Sequence, residues 1–187
     1  MDKFVYVDNS NVWIEGKRVA AVEQDLAFDI WDAHHRDITI PNWKYDFGKL
    51  LTLVGGVKNG LKKAVLFGSK PPENDSLWNA PKFSGFEVVV EDRNAQNREK
   101  KIDTGVVAAM MQDAMIAISN KNVQNTELVL VAGDSDYIPP VKVLIGFGFK
   151  VTVCFWNHAS RELKDVASGF FSLDPYVEQL SRGQPQK

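Results

Sequence analysis

Cysteine is nearly absent from this 187-residue chain. Cys154 stands alone, which excludes an intrachain disulfide and a cysteine-rich zinc site. Histidine is scarce as well, with only His34, His35 and His158. Neighbours in sequence cannot share one helix or strand face, so a metal role for the histidines stays open but is less favoured than exposed polar positions. Long apolar runs are missing: none approaches the roughly 20 residues of a membrane span, and no membrane partner is expected. Met1-Asp2-Lys3 leads into a short apolar run and then an acid, unlike a secretory signal, so the expected location is cytoplasmic. Positive charge is not in excess either. Lys+Arg at 22 against Asp+Glu at 24 gives a formal net charge of -2. That excludes holding nucleic acid by a general basic surface, while a local basic strip stays compatible. The chain also lacks a Gly-x-Ser-x-Gly elbow and a Gly-rich phosphate loop of the P-loop kind.

What is present is ordinary globular usage, 44% hydrophobic and 25% charged, at a length suited to one domain. We read a single domain over residues 1–181 and a frayed polar tail over 182–187. Short β-rich runs alternate with longer helical patterns, the signature of an α/β fold with a parallel sheet. The strand candidates are Phe4–Asp8, Ala64–Gly68, Phe86–Glu91, Glu127–Ala132 and Lys150–Phe155. Most are near-continuous apolar runs, as strands covered on both faces require. Helices are expected near Trp43–Val54, Ser76–Pro81, Asp103–Ser119, Tyr137–Gly146, Ser160–Ala167 and Pro175–Ser181. The stretch from Glu15 to Pro41 has no clean period and reads as an insertion after the first strand. Trp43 and Trp156 read as core, as does Cys154. Trp13 and Trp78 could pack or could stack on an unpaired base, with packing preferred.

Two strand ends carry the chemistry. Val5-Tyr6-Val7 runs into Asp8-Asn9-Ser10-Asn11, and Leu128-Val129-Leu130-Val131-Ala132 runs into Gly133-Asp134-Ser135-Asp136. In open α/β sheets, ligands bind outside the carboxyl ends of the strands where strand order reverses. If these two strands are neighbours there, Asp8, Asp134 and Asp136 crowd together. Like charges so placed disfavour one another, and a hard divalent cation with oxygen ligands relieves them. The competing reading is that Asp134, Ser135 or Asp136 merely caps the following helix, with Pro139-Pro140 in its first turn. Asp103 joins the set from the start of a helix whose apolar stripe is Val107, Met110, Ala114 and Ile118. It could equally be that helix's N-cap. Its approach carries Arg93, Arg98, Lys100 and Lys101, either a solvated run or phosphate-directed cations.

Taken in order, these motifs resemble the NYN domains, the LabA-like branch of the PIN-like ribonuclease superfamily. The match runs through Asp8 with Asn11, Tyr45-Asp46-Phe47-Gly48-Lys49-Leu50-Leu51, Lys100-Lys101-Ile102-Asp103 and the Gly133-Asp134-Ser135-Asp136-Tyr137 strand end. It continues through Phe147–Val153 and Ser160-Arg161-Glu162-Leu163. The resemblance implies a Rossmann-like three-layer α/β/α sandwich with a parallel sheet in order 3-2-1-4-5. It implies a nuclease that hydrolyses RNA, single-stranded by expectation, with Mg²⁺ or Mn²⁺. Carried over, Asp8, Asp103, Asp134 and Asp136 are the metal-site carboxylates. Asn11 orients ligand or water, Lys100, Lys101 and Arg98 meet phosphate, and Ser160 lies on the rim. A homodimer is a further option that such domains often take. The family often has an acid near the position of Ser168, which this chain lacks. Without the four acids, bases outnumber the remaining acids by two, so the overall charge does not argue against RNA.

Two other classes stay open. A haloacid-dehalogenase-like phosphatase would share the Gly-Asp-Ser-Asp strand end, but its Asp-x-Asp nucleophile motif is broken here by Asn9-Ser10. Activity on a phosphomonoester without cleavage of RNA would identify it. A non-catalytic RNA-binding or docking module is the other, marked by the absence of tight divalent-metal binding.

Overall fold

The computed structural model describes residues 1–56, 60–69, 78–91 and 98–182, with the side chains at 91 and 98–101 outside that description. The chain opens on β1 (Asp2–Asp8) and passes directly into α1 (Asn9–Glu23), then α2 (Ile30–His35) and α3 (Phe47–Gly55). β2 (Leu61–Ser69), α4 (Asn79–Phe83), β3 (Glu87–Glu91) and α5 (Arg98–Ser119) follow. The second half holds β4 (Thr126–Val131), α6 (Ile138–Gly146), β5 (Lys150–Phe155), α7 (Arg161–Val166), β6 (Gly169–Ser172) and α8 (Val177–Leu180).

Among the described residues six strands form one sheet, all parallel, in the order β3-β2-β1-β4-β5-β6. The expected order is therefore correct and continues by one further edge strand. Side chains alternate across the sheet, as strand geometry demands. Val5 and Val7 enter one buried layer with Leu50, Val54, Leu66, Val129, Val131 and Trp156. Tyr6 enters the other, with Val106, Met110, Leu128, Leu130, Leu144 and Leu163. Helices thus cover both faces, which explains why the central strands read as unbroken apolar runs.

Three readings change. Residues 15–23, expected within an insertion, are the second part of α1. Its buried residues are Val12, Gly16, Val19, Ala20 and Ala21, small groups that leave no strong periodic signal. A Cβ at Gly16 would stand 2.4 Å from Trp43 and 2.8 Å from Trp156, so only glycine lets the two indoles pack on the helix. The helix expected to open at Asp103 begins at Arg98 instead. Within it, Ile102–Ser119 reaches the length and apolarity of a membrane-crossing segment, more than the sequence suggested. Here Ile102, Val106, Met110, Ala114 and Ala117 are buried against the sheet layer. The short helix expected at Ser76–Pro81 lies at Asn79–Phe83, and residues 76–77 are outside the described residues. Trp43, Trp78, Trp156 and Cys154 are buried, as expected of core residues. Trp13 is held by an N–H···O bond to the Trp43 carbonyl at 3.0 Å.

Candidate active site

β1 and β4 are direct neighbours, with Tyr6 opposite Leu130 and Val7 opposite Val131. Strand order reverses between them, so their carboxyl ends open the crevice where α/β sheets bind ligands. Asp8 ends β1 and is also the N-cap of α1, its Oδ1 accepting from the Asn11 backbone N–H at 3.1 Å. Capping is the usual work of an aspartate here. It does not account for the surroundings.

Asn11 ties the two strand ends together. Its side-chain amide donates to Asp134 Oδ2 at 2.8 Å, and its Oδ1 accepts from the Gly133 N–H at 2.9 Å. Gly133 is glycine for a steric reason: a Cβ there would lie 2.1 Å from the Phe155 ring. Asp134 stands before the 3-10 turn 135–137, yet its side chain makes no capping bond. The carboxylate is committed to Asn11 instead, which removes the capping explanation. Asp103 sits in the second turn of α5, too far inside the helix to be its N-cap.

Tyr137 joins the acids. Its buried hydroxyl is 3.1 Å from Asp8 Oδ2 and 3.1 Å from Asp103 Oδ1. Burial, then the charges of Asp8 and Asp103, push its ionisation far above the ordinary range, so it stays a neutral phenol. A phenol has one proton to donate. It donates to one of the two carboxylates at a time, so Asp8 Oδ2 lacks that donor whenever the proton points to Asp103.

The electrostatics say the same. Burial, at 4% exposure, is the main force pushing the Asp8 carboxyl up to about 7, with the charges of Asp103 and Asp134 adding to it. The bonds from the Asn11 N–H and the Tyr137 hydroxyl work the other way without prevailing. Asp134 is also raised, by desolvation first and then by Asp103, Glu15 and Asp136, against the Asn11 bond. Among the described residues, neither Asp8 nor Asp134 forms an ion pair with a lysine or arginine. The oxygen ligands offered by Asp8 and Asp134, beside Asp103, fit a hard divalent cation such as Mg²⁺ or Mn²⁺.

The structure thus brings Asp8, Asn11, Asp103 and Asp134 together, with Asp136 exposed in the adjoining turn and close enough to act on Asp134. Arg98, Lys100 and Lys101 lie in the first turn of α5, their side chains outside the described residues. Ser160, expected on the rim, lies beside the Gly133 strand end. Its Oγ caps α7 by accepting from Leu163 N at 3.4 Å, and its N–H bonds the Gly133 carbonyl at 2.9 Å. Ser168 bonds Val151 near the start of β5, the edge opposite the acids, so the acid missing at that position leaves the cluster untouched. Tyr137 is the site residue the sequence reading missed. Its place directly after the Gly-Asp-Ser-Asp strand end was the available signal.

Comparisons with known proteins bear on the family and the fold. The model of the family described as NYN domain matches residues 9–174. No curated protein matches the chain. The fold is similar to the crystal structure of a protein of unknown function, VPA0982, from Vibrio parahaemolyticus RIMD 2210633. That similarity has a TM-score of 0.67 at 17% identity, over 97% of this chain and 96% of the other. The chain belongs to the NYN domain family, within the PIN-like nuclease superfamily.

Proposed function

We propose that the protein is a metal-dependent endoribonuclease that hydrolyses phosphodiester bonds of single-stranded RNA at the β1–β4 switch point. The observation that carries this reading is the convergence of Asp8, Asp103 and Asp134 around Asn11 and Tyr137, without a lysine or arginine paired to Asp8 or Asp134 among the described residues. Asp8 and Asp134, with Asp103 and Asp136, would hold Mg²⁺ or Mn²⁺. Such an ion lowers the pKa of a water and offsets charge building on the phosphodiester.

The remaining roles belong to the chain's own groups. Asn11 uses both ends of its amide to keep Asp134 and the Gly133 backbone in register with α1. Tyr137, remaining a neutral phenol, donates a hydrogen bond to Asp8 or Asp103 and helps hold both carboxylates in place. Tyr45 is buried, donates its hydroxyl to Asn9 Oδ1 at 2.6 Å and lies near enough to feel the Asp8 charge, so it fixes the residue that follows Asp8. Arg98, Lys100 and Lys101, approaching on α5, would meet the phosphates flanking the cut.

The test is cleavage of a short single-stranded RNA with Mn²⁺, Mg²⁺ or EDTA, with Asp134→Asn beside the wild type. Cleavage should require the metal and fall by roughly two to three orders of magnitude in the variant, the scale of a lost metal-borne charge stabilisation. Wild-type rates in Asp134→Asn, or no cleavage of any RNA with either metal, would overturn the assignment.

A further inference from the structure

The structure assigns a second metal site, distinct from the acid cluster, to Glu15, His34 and His158: a site for a borderline divalent transition metal such as Zn²⁺. The three residues come from three separate places in the chain. Glu15 lies one turn beyond Asn11 on α1, His34 in the last turn of α2, and His158 in the turn between β5 and α7. Their donor atoms all fall within 4.8 Å of one another. Both imidazoles aim the same ring atom at one oxygen: His34 Nε2 is 2.9 Å and His158 Nε2 2.8 Å from Glu15 Oε2.

Several features go beyond a surface hydrogen bond. Arg18 Nη1 occupies the other carboxylate oxygen, Oε1, at 2.7 Å, leaving Oε2 alone to face the two rings. An outer partner of this kind commonly fixes a ligating group. Packing fixes the rings as well. The His158 ring meets Phe155 edge-on at 6.0 Å and His34 at 5.7 Å, and His34 lies 6.1 Å from Trp31. The side chains of Glu15, His34 and His158 are 15%, 32% and 10% exposed, so the cluster is largely covered but keeps an open side.

The donor set selects the ion. Two imidazoles and one carboxylate suit zinc and its transition-metal neighbours, whereas the all-oxygen cluster at Asp8 suits Mg²⁺ or Mn²⁺. With zinc–ligand distances of about 2.0–2.2 Å, tetrahedral ligands stand about 3.3 Å apart. The observed 2.8 and 2.9 Å contacts would open by a few tenths of an ångström to admit the ion. Three protein ligands would leave a fourth position for water on the exposed side. The ion would clamp α2 and the β5–α7 turn onto α1. Its charge would also oppose the field of Glu15, which reaches Asp134. The site stands on its own geometry and does not depend on the nuclease reading.

The test removes the acid cluster first. In full-length Asp8→Asn/Asp134→Asn protein, stripped with EDTA and equilibrated with micromolar Zn²⁺, metal analysis should find about one zinc per chain that excess Mg²⁺ does not displace. Adding His34→Ala or, separately, Glu15→Gln should weaken binding at least roughly tenfold, since each removes one of three ligands. Circular dichroism of the metal-free variants checks folding, and His34 lies on a half-exposed helix where alanine is tolerated. Co²⁺ in place of zinc should give visible absorption bands that vanish with His34→Ala. Zinc uptake unchanged by both single substitutions, or no zinc held by the double variant, would overturn the site.

Discussion

At the edge where the strands begin, Glu127 lies buried against Lys3 at 3.7 Å, Lys150 at 3.0 Å and the Thr152 hydroxyl at 2.7 Å. On the other face of the sheet, buried Asp113 accepts from the Tyr6 hydroxyl at 2.7 Å and from Lys63 at 2.9 Å, with Lys63 standing opposite Phe4 in the sheet. At the edge where the strands end, Asp8 is as deeply buried and has an amide N–H and a shared phenol, with no lysine or arginine among the described residues. The consequences are opposite. Burial works against the Glu127 charge, but Thr152 and the two lysines more than offset it and hold its carboxyl below the usual range. Asp8 is driven up to about 7. Among the described residues, lysines neutralise the buried acids at the strand-start edge, and none is paired with Asp8. That asymmetry supports the proposed role of the strand-end acids and a structural role for those at the strand starts.

The largest effect should come from removing the charge at the functional edge. Asp8→Asn keeps the N-cap, since asparagine caps as well as aspartate, but should lower metal-dependent RNA cleavage by roughly two to three orders of magnitude. Initial rates in Mn²⁺ provide the readout, and near-normal rates would erase the distinction between the edges.

At the structural edge the same logic predicts damage to stability rather than to chemistry. Lys63→Met leaves Asp113 buried with only the Tyr6 hydroxyl, and breaking a buried pair from one side is costly. Lys63 is 25% exposed, so water recovers part of the loss, and we expect about 2–3 kcal/mol of destabilisation in urea unfolding. Cleavage per folded molecule should be unchanged.

Asp8 should respond with the opposite sign. Its carboxyl ionises at about 7 in the fold against an ordinary 3.8. A raised carboxylate contributes stability that is full below the ordinary value and is lost as pH climbs through the folded one. Metal-free wild type should therefore lose stability between pH 4 and 7, and Asp8→Asn, which keeps the raised Asp134, should lose less. At pH 8 in EDTA the variant should be more stable by about 1–3 kcal/mol, a rise in Tm of roughly 2–10 °C. Mn²⁺ should raise the Tm of the wild type far more than that of Asp8→Asn. A lower Tm for the variant at pH 8 in EDTA would mean that Asp8 is neutralised by a partner after all.

Much of the functional edge was legible because two unbroken apolar runs end in acids, a pattern that burial on both faces produces directly. The neighbourhood of β1 and β4 followed from the family resemblance. Other features were hidden for physical reasons. α1 buries Gly16 and small residues under Trp43 and Trp156, so its periodicity is faint and its glycine looks like a break. β6 is four half-buried residues on a sheet edge, too short to alternate. Glu15 and His158 are 143 residues apart and meet only through the folded α1 and the β5–α7 turn. Asp113 and Glu127 carried no sign of burial, because each looks like an ordinary surface charge until its lysines are placed.

The smallest effect tests how redundant the structural edge is. Lys150 reaches Glu127 Oε1 at 3.0 Å, but its side chain is 49% exposed. Glu127 would keep Lys3 and the Thr152 hydroxyl if Lys150 were removed. Half-exposed ion pairs contribute little, so Lys150→Gln should cost under about 1 kcal/mol, and less still in high salt. Combining it with Lys3→Gln strips both cations from the buried acid, and the two losses should add to more than their sum, because only the second leaves Glu127 uncompensated. Double-mutant analysis by urea unfolding measures this directly. Simple additivity would show that Thr152 alone can hold a buried carboxylate, and Asp8, with its own pair of hydrogen bonds, would then need no cation either.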